Sequence, residues 1–155
     1  MAERLYIERK AEENKYLHRD FHVSGDIGIA YVGKFYGDDG VKEYLVKYAK
    51  SFFSKLAEEV RDKGLEPLEE YFKKIFLAEE REDWLLTTLN DNCLTIKIIK
   101  CPALDFMKQI GHTPSKWYGE TTKTVYPTLA QMCGLKFELS FYNEEDGSAE
   151  FKFSF

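Results

Sequence analysis

The chain has 155 residues, 44% of them hydrophobic and 15% aromatic, and it carries a net charge of −5. That length suits one domain able to bury about two-thirds of its unfolded surface, and the apolar content excludes a disordered chain. With a pI of 5.3 there is no basic field to gather nucleic acid or anionic lipid, so neither is expected as a partner.

The N-terminal MAERLYIERK is too charged for a signal peptide, and no apolar run reaches the roughly 20 residues of a membrane span. From about Glu13 to Phe35 the placement of Leu17, Phe21, Ile29 and Val32 among polar neighbours predicts a helix, weakened by Gly25 and Gly28. GDDG at 37–40 punctuates the chain. A second helix is expected over 41–62, because apolar residues at 41, 45, 48, 52, 56 and 60 form one stripe that Gly64 ends. A third is expected over 65–79, with Leu68, Phe72, Ile75 and Phe76 turned inward and flanking Glu and Lys in solvent.

The period then changes. WLLTTLNDNCLTIKIIKC reads as a hairpin over 84–100 with its turn at Asn90-Asp91-Asn92. LKFELSFYNEEDGSAEFKFSF reads as a second over 135–155, turning at Asp146-Gly147. PALDFMKQIG and the stretch from Glu120 to Met132 lie between them as short helices. Without repeat or linker, residues 1–155 form a single α+β domain in this reading, its N-terminal helices packed on one face of a mainly antiparallel sheet made of the two hairpins.

Four places could carry chemistry. His18 and His22, four apart in LHRDFH, share one helix face and could serve a substrate. The spacing is that of HExxH, but Arg19 stands where the glutamate base would be, so no metal is assigned; two solvated helix histidines are the plainer alternative. Cys101 precedes Pro102 at the end of a strand, and a helix starting there would stabilise its thiolate. That makes Cys101 the nucleophile candidate, with a small buried filler as the alternative.

GHTPSKWYGETTK gathers His112, Trp117, Tyr118, Glu120, Thr121 and Thr122 on an irregular backbone. This could wall a small-molecule pocket or simply cap the core. Cys133, near a helix C-terminus, is expected to be structural. Three cysteines without close pairing suggest free thiols and a reduced, cytoplasmic setting. No P-loop, dinucleotide fingerprint, GxSxG or EF-hand loop occurs, so the sequence names no cofactor.

LHRDFH, FYGDDGVKEYLVKYAKSFFSKL, KIIKCPAL, TPSKWYGETTK and GLKFELSFYNEEDG together, in this order, resemble the L-2-amino-thiazoline-4-carboxylic acid hydrolase-like family over nearly the whole chain. The resemblance implies a hydrolase that adds water to a small cyclic amide- or amidine-like carboxylic acid, opening a thiazoline ring to N-carbamoyl-cysteine. Its motifs fall on His18 to His22, on Cys101-Pro102 and on Glu120 to Thr122. It implies Cys101, His22, His18 and Glu120 as catalytic residues. His112, Trp117, Tyr118, Thr121 and Thr122 would touch the ligand. Relatives tend to carry further cysteines just before the E-T-T, in the next helix near Ala130 and in the last hairpin near Ala149. This chain has none there, Gly119 standing at the first, and Cys133 lies nearly a turn from the second. If those cysteines react or bind metal, the alternative is a non-catalytic binding or sensing domain with the same cavity. The expected partner is thus a small molecule, and a homo-oligomer stays open.

Overall fold

The computed structural model describes residues 15–155, with side chains for Arg19 and from Phe21 onward. Helix α1 (Lys15–Phe52) is broken at Gly37, whose φ of 69° and ψ of −166° lie where essentially only glycine is at ease. The break reverses the chain. A Cβ on Gly28 would stand 3.8 Å from the Tyr44 hydroxyl, whereas a straight helix would hold these residues about 24 Å apart. α1 is therefore a hairpin of two antiparallel limbs, and GDDG is its turn. The limbs bury Ile29 against the stripe of Val41, Leu45 and Ala49.

The helix expected over 41–62 is interrupted at Phe53 (φ −96°, ψ 8°), after which α2 (Ser54–Lys63) begins. Phe53 is buried, and i to i−4 hydrogen bonds continue on both sides of it, from its amide to Ala49 and from Ala57 to its carbonyl. α3 (Glu66–Ala78) starts with Pro67 in its first turn, where a missing N–H costs nothing. It buries Leu68, Phe72 and Phe76, while Ile75 is only partly covered.

A 3₁₀ turn (Glu82–Trp84) leads into the sheet. Strands β1 (Leu85–Asn90) and β2 (Cys93–Ile98) form the first hairpin, closed by Asn90 Oδ1, which accepts from the amides of Asn92 and Cys93 at 3.0 and 2.9 Å. β3 (Lys136–Tyr142) and β4 (Ala149–Ser154) form the second. The four strands run in the order β1-β2-β4-β3, all neighbours antiparallel. This is the α+β architecture that the change of period predicts.

Alternation decides the packing. Leu94, Ile96 and Ile98 of β2 and Ala149, Phe151 and Phe153 of β4 are buried, facing the helices. The Phe72 ring lies 5.8 Å from Phe151 and 5.3 Å from Tyr126. Burying such a ring contributes roughly 3 kcal/mol. Between the hairpins lie α4 (Pro102–Gln109), α5 (Glu120–Lys123) and α6 (Val125–Cys133). The expected helix from Glu120 to Met132 is split at Thr124, which is the C-cap of α5 and the N-cap of α6. Among the described residues no helix is long and apolar enough to cross a membrane.

Candidate functional site

Cys101 is the N-cap of α4, with Pro102 as the first helical residue. The Leu104 and Ala103 amides and the Tyr118 hydroxyl lie near enough to its sulfur to lower its pKa, while the thiol makes no capping hydrogen bond. Its own amide donates to the Asp146 carbonyl at 2.8 Å, fastening the helix start to the β3–β4 turn. Gly147 closes over the thiol: its φ is 68°, and a Cβ there would lie 2.4 Å from Cys101 Cβ. The sequence predicts a thiolate stabilised by the helix dipole, and the structure corrects this. The amides and the phenol pull the thiol pKa down, but burial outweighs them and Glu79 adds repulsion, so the net shift is upward. At neutral pH the group is a thiol. Cys133 is likewise pushed up, to about 11, by burial.

The carboxylate beside Cys101 is one the sequence placed on a solvated face. Glu79 ends α3 and is 4% exposed; His22, from the first limb of α1, donates Nε2 to its Oε1. Arg19 Nε lies 4.0 Å from Glu79, and its Nη2 lies 3.7 Å from Glu80. His22 is thus joined to Glu79, whose charge reaches Cys101. The side chain of His18 lies outside the described residues.

Asp26 is the other buried acid among the described residues, 2% exposed. It accepts from His112 Nε2 at 2.8 Å and from the Ser115 amide at 3.0 and 3.1 Å. His112 therefore ties the 111–119 loop to α1. Trp117 lies against α1 as well: a Cβ on Gly33 would come within 2.5 Å of its ring, and its Nε1 donates to Asp38 at 2.7 Å.

Between these ties the loop lines a cleft of about 410 Å³ with Leu104, Lys108, Pro114, Ser115, Lys116, Tyr118, Gly119, Tyr142 and Glu144. The Ser115 hydroxyl is buried there and has no hydrogen-bond partner. Burial raises the pKa of Tyr118, Tyr126 and Tyr142, and all three lie close enough to Cys101 for its charge to raise them further.

The sequence-predicted residues therefore divide. Cys101 and Tyr118 lie close enough to shift each other's pKa, and His22 bonds Glu79, whose charge reaches Cys101. His112 faces Asp26. Glu120 accepts from the Thr124 hydroxyl at 2.6 Å and borders a smaller hollow of about 250 Å³ with Asp38, Lys42, Lys116 and Trp117. Thr121 donates back to the Tyr118 carbonyl at 2.7 Å, and Thr122 is partly covered on α5. Sequence reasoning missed Glu79, Asp26 and Tyr142. Asp26 sits in SGDIG, between glycines and next to an apolar residue, which is the one local hint it offers. Among the described residues no group of three His, Cys, Asp or Glu side chains is arranged to hold a metal ion. No family model matches the chain, nor does any curated protein or solved structure.

Proposed function

We propose that the chain is a hydrolase of small cyclic amide- or amidine-like carboxylic acids of the thiazoline type, with Cys101 as nucleophile. One observation carries the reading: Cys101 caps the start of α4 with Tyr118 and the first amides of that helix near its sulfur, and the Glu79–His22 pair is close enough for the Glu79 charge to reach it. Such donors stabilise charge that develops during attack. Because the resting group is a thiol, attack needs a base. Glu79, steadied by His22, is the neighbouring carboxylate that takes the proton. The Cys101 sulfur forms a bond to the ring carbon that lies between nitrogen and sulfur, the ring C–S bond breaks, and the leaving ring sulfur takes that proton; in a cyclic amide the bond broken is the ring C–N bond and the leaving nitrogen takes it. Water then cleaves the S–C bond and restores the thiol. The substrate class comes from the family resemblance. Gly119 and Ala149, two positions where that resemblance puts extra cysteines, both border Tyr142.

A second reading, a domain of the same cavity that binds without turnover, is favoured by a different observation. The raised thiol pKa and the cleft walled by Tyr118 and Tyr142 suit recognition as well as reaction. The test is hydrolysis of a panel of thiazoline and cyclic amide carboxylates, followed by chromatography, with calorimetry on the same compounds. Turnover that falls at least about 100-fold in Cys101→Ser and in His22→Ala supports the hydrolase. Binding without turnover supports the second reading. A His22→Ala variant with full turnover removes the histidine from the mechanism.

A further inference from the structure

The cleft of about 410 Å³ differs in charge from the rest of the chain. The chain carries −5 overall, yet the cleft brings Lys108 and Lys116 together with a single acid, Glu144. That acid is already paired with Lys123, and Lys108 donates to the Glu145 carbonyl. Lys116 rests its ammonium on the Trp117 ring, 4.5 Å from the centroid, and pairs with no carboxylate among the described residues. The two acids that share the smaller hollow with it are taken, Asp38 by Trp117 and Glu120 by Thr124. Burial keeps the Tyr118 and Tyr142 phenols protonated at neutral pH, so neither adds negative charge.

Ser115, on the same wall, has an enclosed hydroxyl without a hydrogen-bond partner, a rare state for a native side chain. The residue itself is firmly held. Its amide donates to both oxygens of Asp26 at 3.1 and 3.0 Å, and the Tyr118 amide donates to its carbonyl at 3.1 Å. One tight turn therefore carries Ser115 and Lys116 at its start and Tyr118 at its end, and Tyr118 lies near the Cys101 sulfur.

We propose that this turn holds the carboxylate of a small ring compound, with the Lys116 ammonium and the Ser115 hydroxyl as its two donors and the ring lying between Tyr118 and Tyr142. The proposal rests on the hydrolase reading for the class of ring, and adds which residues select its charge. The flexible lysine stem lets the ammonium leave the Trp117 face for an anion, and the hydrogen bonds gained are charge-assisted, about twice as strong as neutral ones.

The experiment is calorimetry on the full chain with thiazole-4-carboxylate and its isostere thiazole-4-carboxamide, whose aromatic rings water does not open. The carboxylate is expected to bind at least about tenfold tighter than the carboxamide, and Lys116→Gln and Ser115→Ala should each remove about tenfold of the carboxylate's affinity. Lys116→Gln should leave the carboxamide unmoved. Because its hydroxyl has no partner within the chain, Ser115→Ala should keep the wild-type midpoint in urea unfolding; a lowered midpoint would assign the hydroxyl to the fold and overturn its place in the site. Equal affinity for carboxylate and carboxamide overturns the inference. So does failure of both to bind at about 10 mM, or either variant binding the carboxylate like the wild type. Turnover judges the hydrolase reading separately. A chain that binds the carboxylate as expected but opens no thiazoline keeps the inference and loses the enzyme, and turnover by a cleft indifferent to the carboxylate does the reverse.

Discussion

At the residue scale, Gly147 and Cys101 constrain each other. A methyl group on Gly147 meets Cys101 Cβ at 2.4 Å and Leu104 at 2.9 Å, and the positive φ of 68° strains any L side chain. Gly147→Ala should cost about 2–3 kcal/mol, read as a lower midpoint in urea unfolding; an unchanged midpoint would show that the turn yields freely. The Cys101 thiol pKa is raised chiefly by burial. In a chain carrying Cys93→Ser and Cys133→Ser, iodoacetamide labelling of Cys101 should be slow at neutral pH and climb above pH 9, past the ordinary thiol range. A rate already at its plateau at pH 7 would mean a stabilised thiolate. The Cys-Pro junction made the position of this thiol legible. Its protonation was not, because the shift comes chiefly from burial under segments distant in sequence, with a smaller push from Glu79, which the local pattern AEEREDW presents as one acid among several on a wet surface.

At the element scale, the helix hairpin depends on one dihedral pair. Gly37 occupies φ 69°, ψ −166°, and Gly37→Ala should destabilise by about 1–3 kcal/mol, lowering the thermal midpoint while the far-UV spectrum stays helical. Retention of the full midpoint would place the cause of the reversal in limb packing. The glycines and aspartates of GDDG announced the break, and the 3.6-residue spacing announced both limbs as helices but not their buried faces, since Phe21, Tyr48 and Phe52 of the expected stripes are exposed. The return of the second limb along the first was not readable, because the Gly28–Tyr44 meeting is a tertiary fact. The hairpins were legible from alternation and turn residues. The split of α5 from α6 was not: the Thr124 geometry, φ −109° and ψ −44°, leaves no clear mark in ETTKTVYP.

At the scale of the whole molecule, the core gathers ionisable groups that folding keeps protonated. Burial raises Tyr71, Tyr118, Tyr126 and Tyr142 above the ordinary phenol range, and it raises Cys101 and Cys133 above the thiol range. Each folded pKa exceeds its unfolded value. Their contribution is therefore whole below the unfolded pKa and is lost as pH rises through the folded one. The urea midpoint should hold from neutrality to about pH 9 and then fall steeply as the unfolded thiols and phenols ionise. Tyr142→Phe should soften that fall. A flat profile to pH 11 would mean that these phenols reach water. The parts of the site that sequence reasoning missed share this scale: Asp26 meets Ser115 across 89 positions and His22 meets Glu79 across 57, distances over which no local period carries information.

The strand order β1-β2-β4-β3 has a consequence for the history of each molecule on the ribosome. β4, the last strand in chain order, lies inside the sheet and pairs with β2 along Cys93–Ile98. Until it is made, the inner edge of β2 offers Leu94, Ile96 and Ile98 without a neighbour, an open template for other chains. Synthesis supplies β4 after β2, so the β2 edge stays open until β4 emerges, and slow translation or a stall near residue 145 should enrich aggregates and chaperone-bound chains. The same late arrival brings Asp146 and Gly147 to Cys101. A nascent chain therefore has no closed thiol pocket until its sheet is complete.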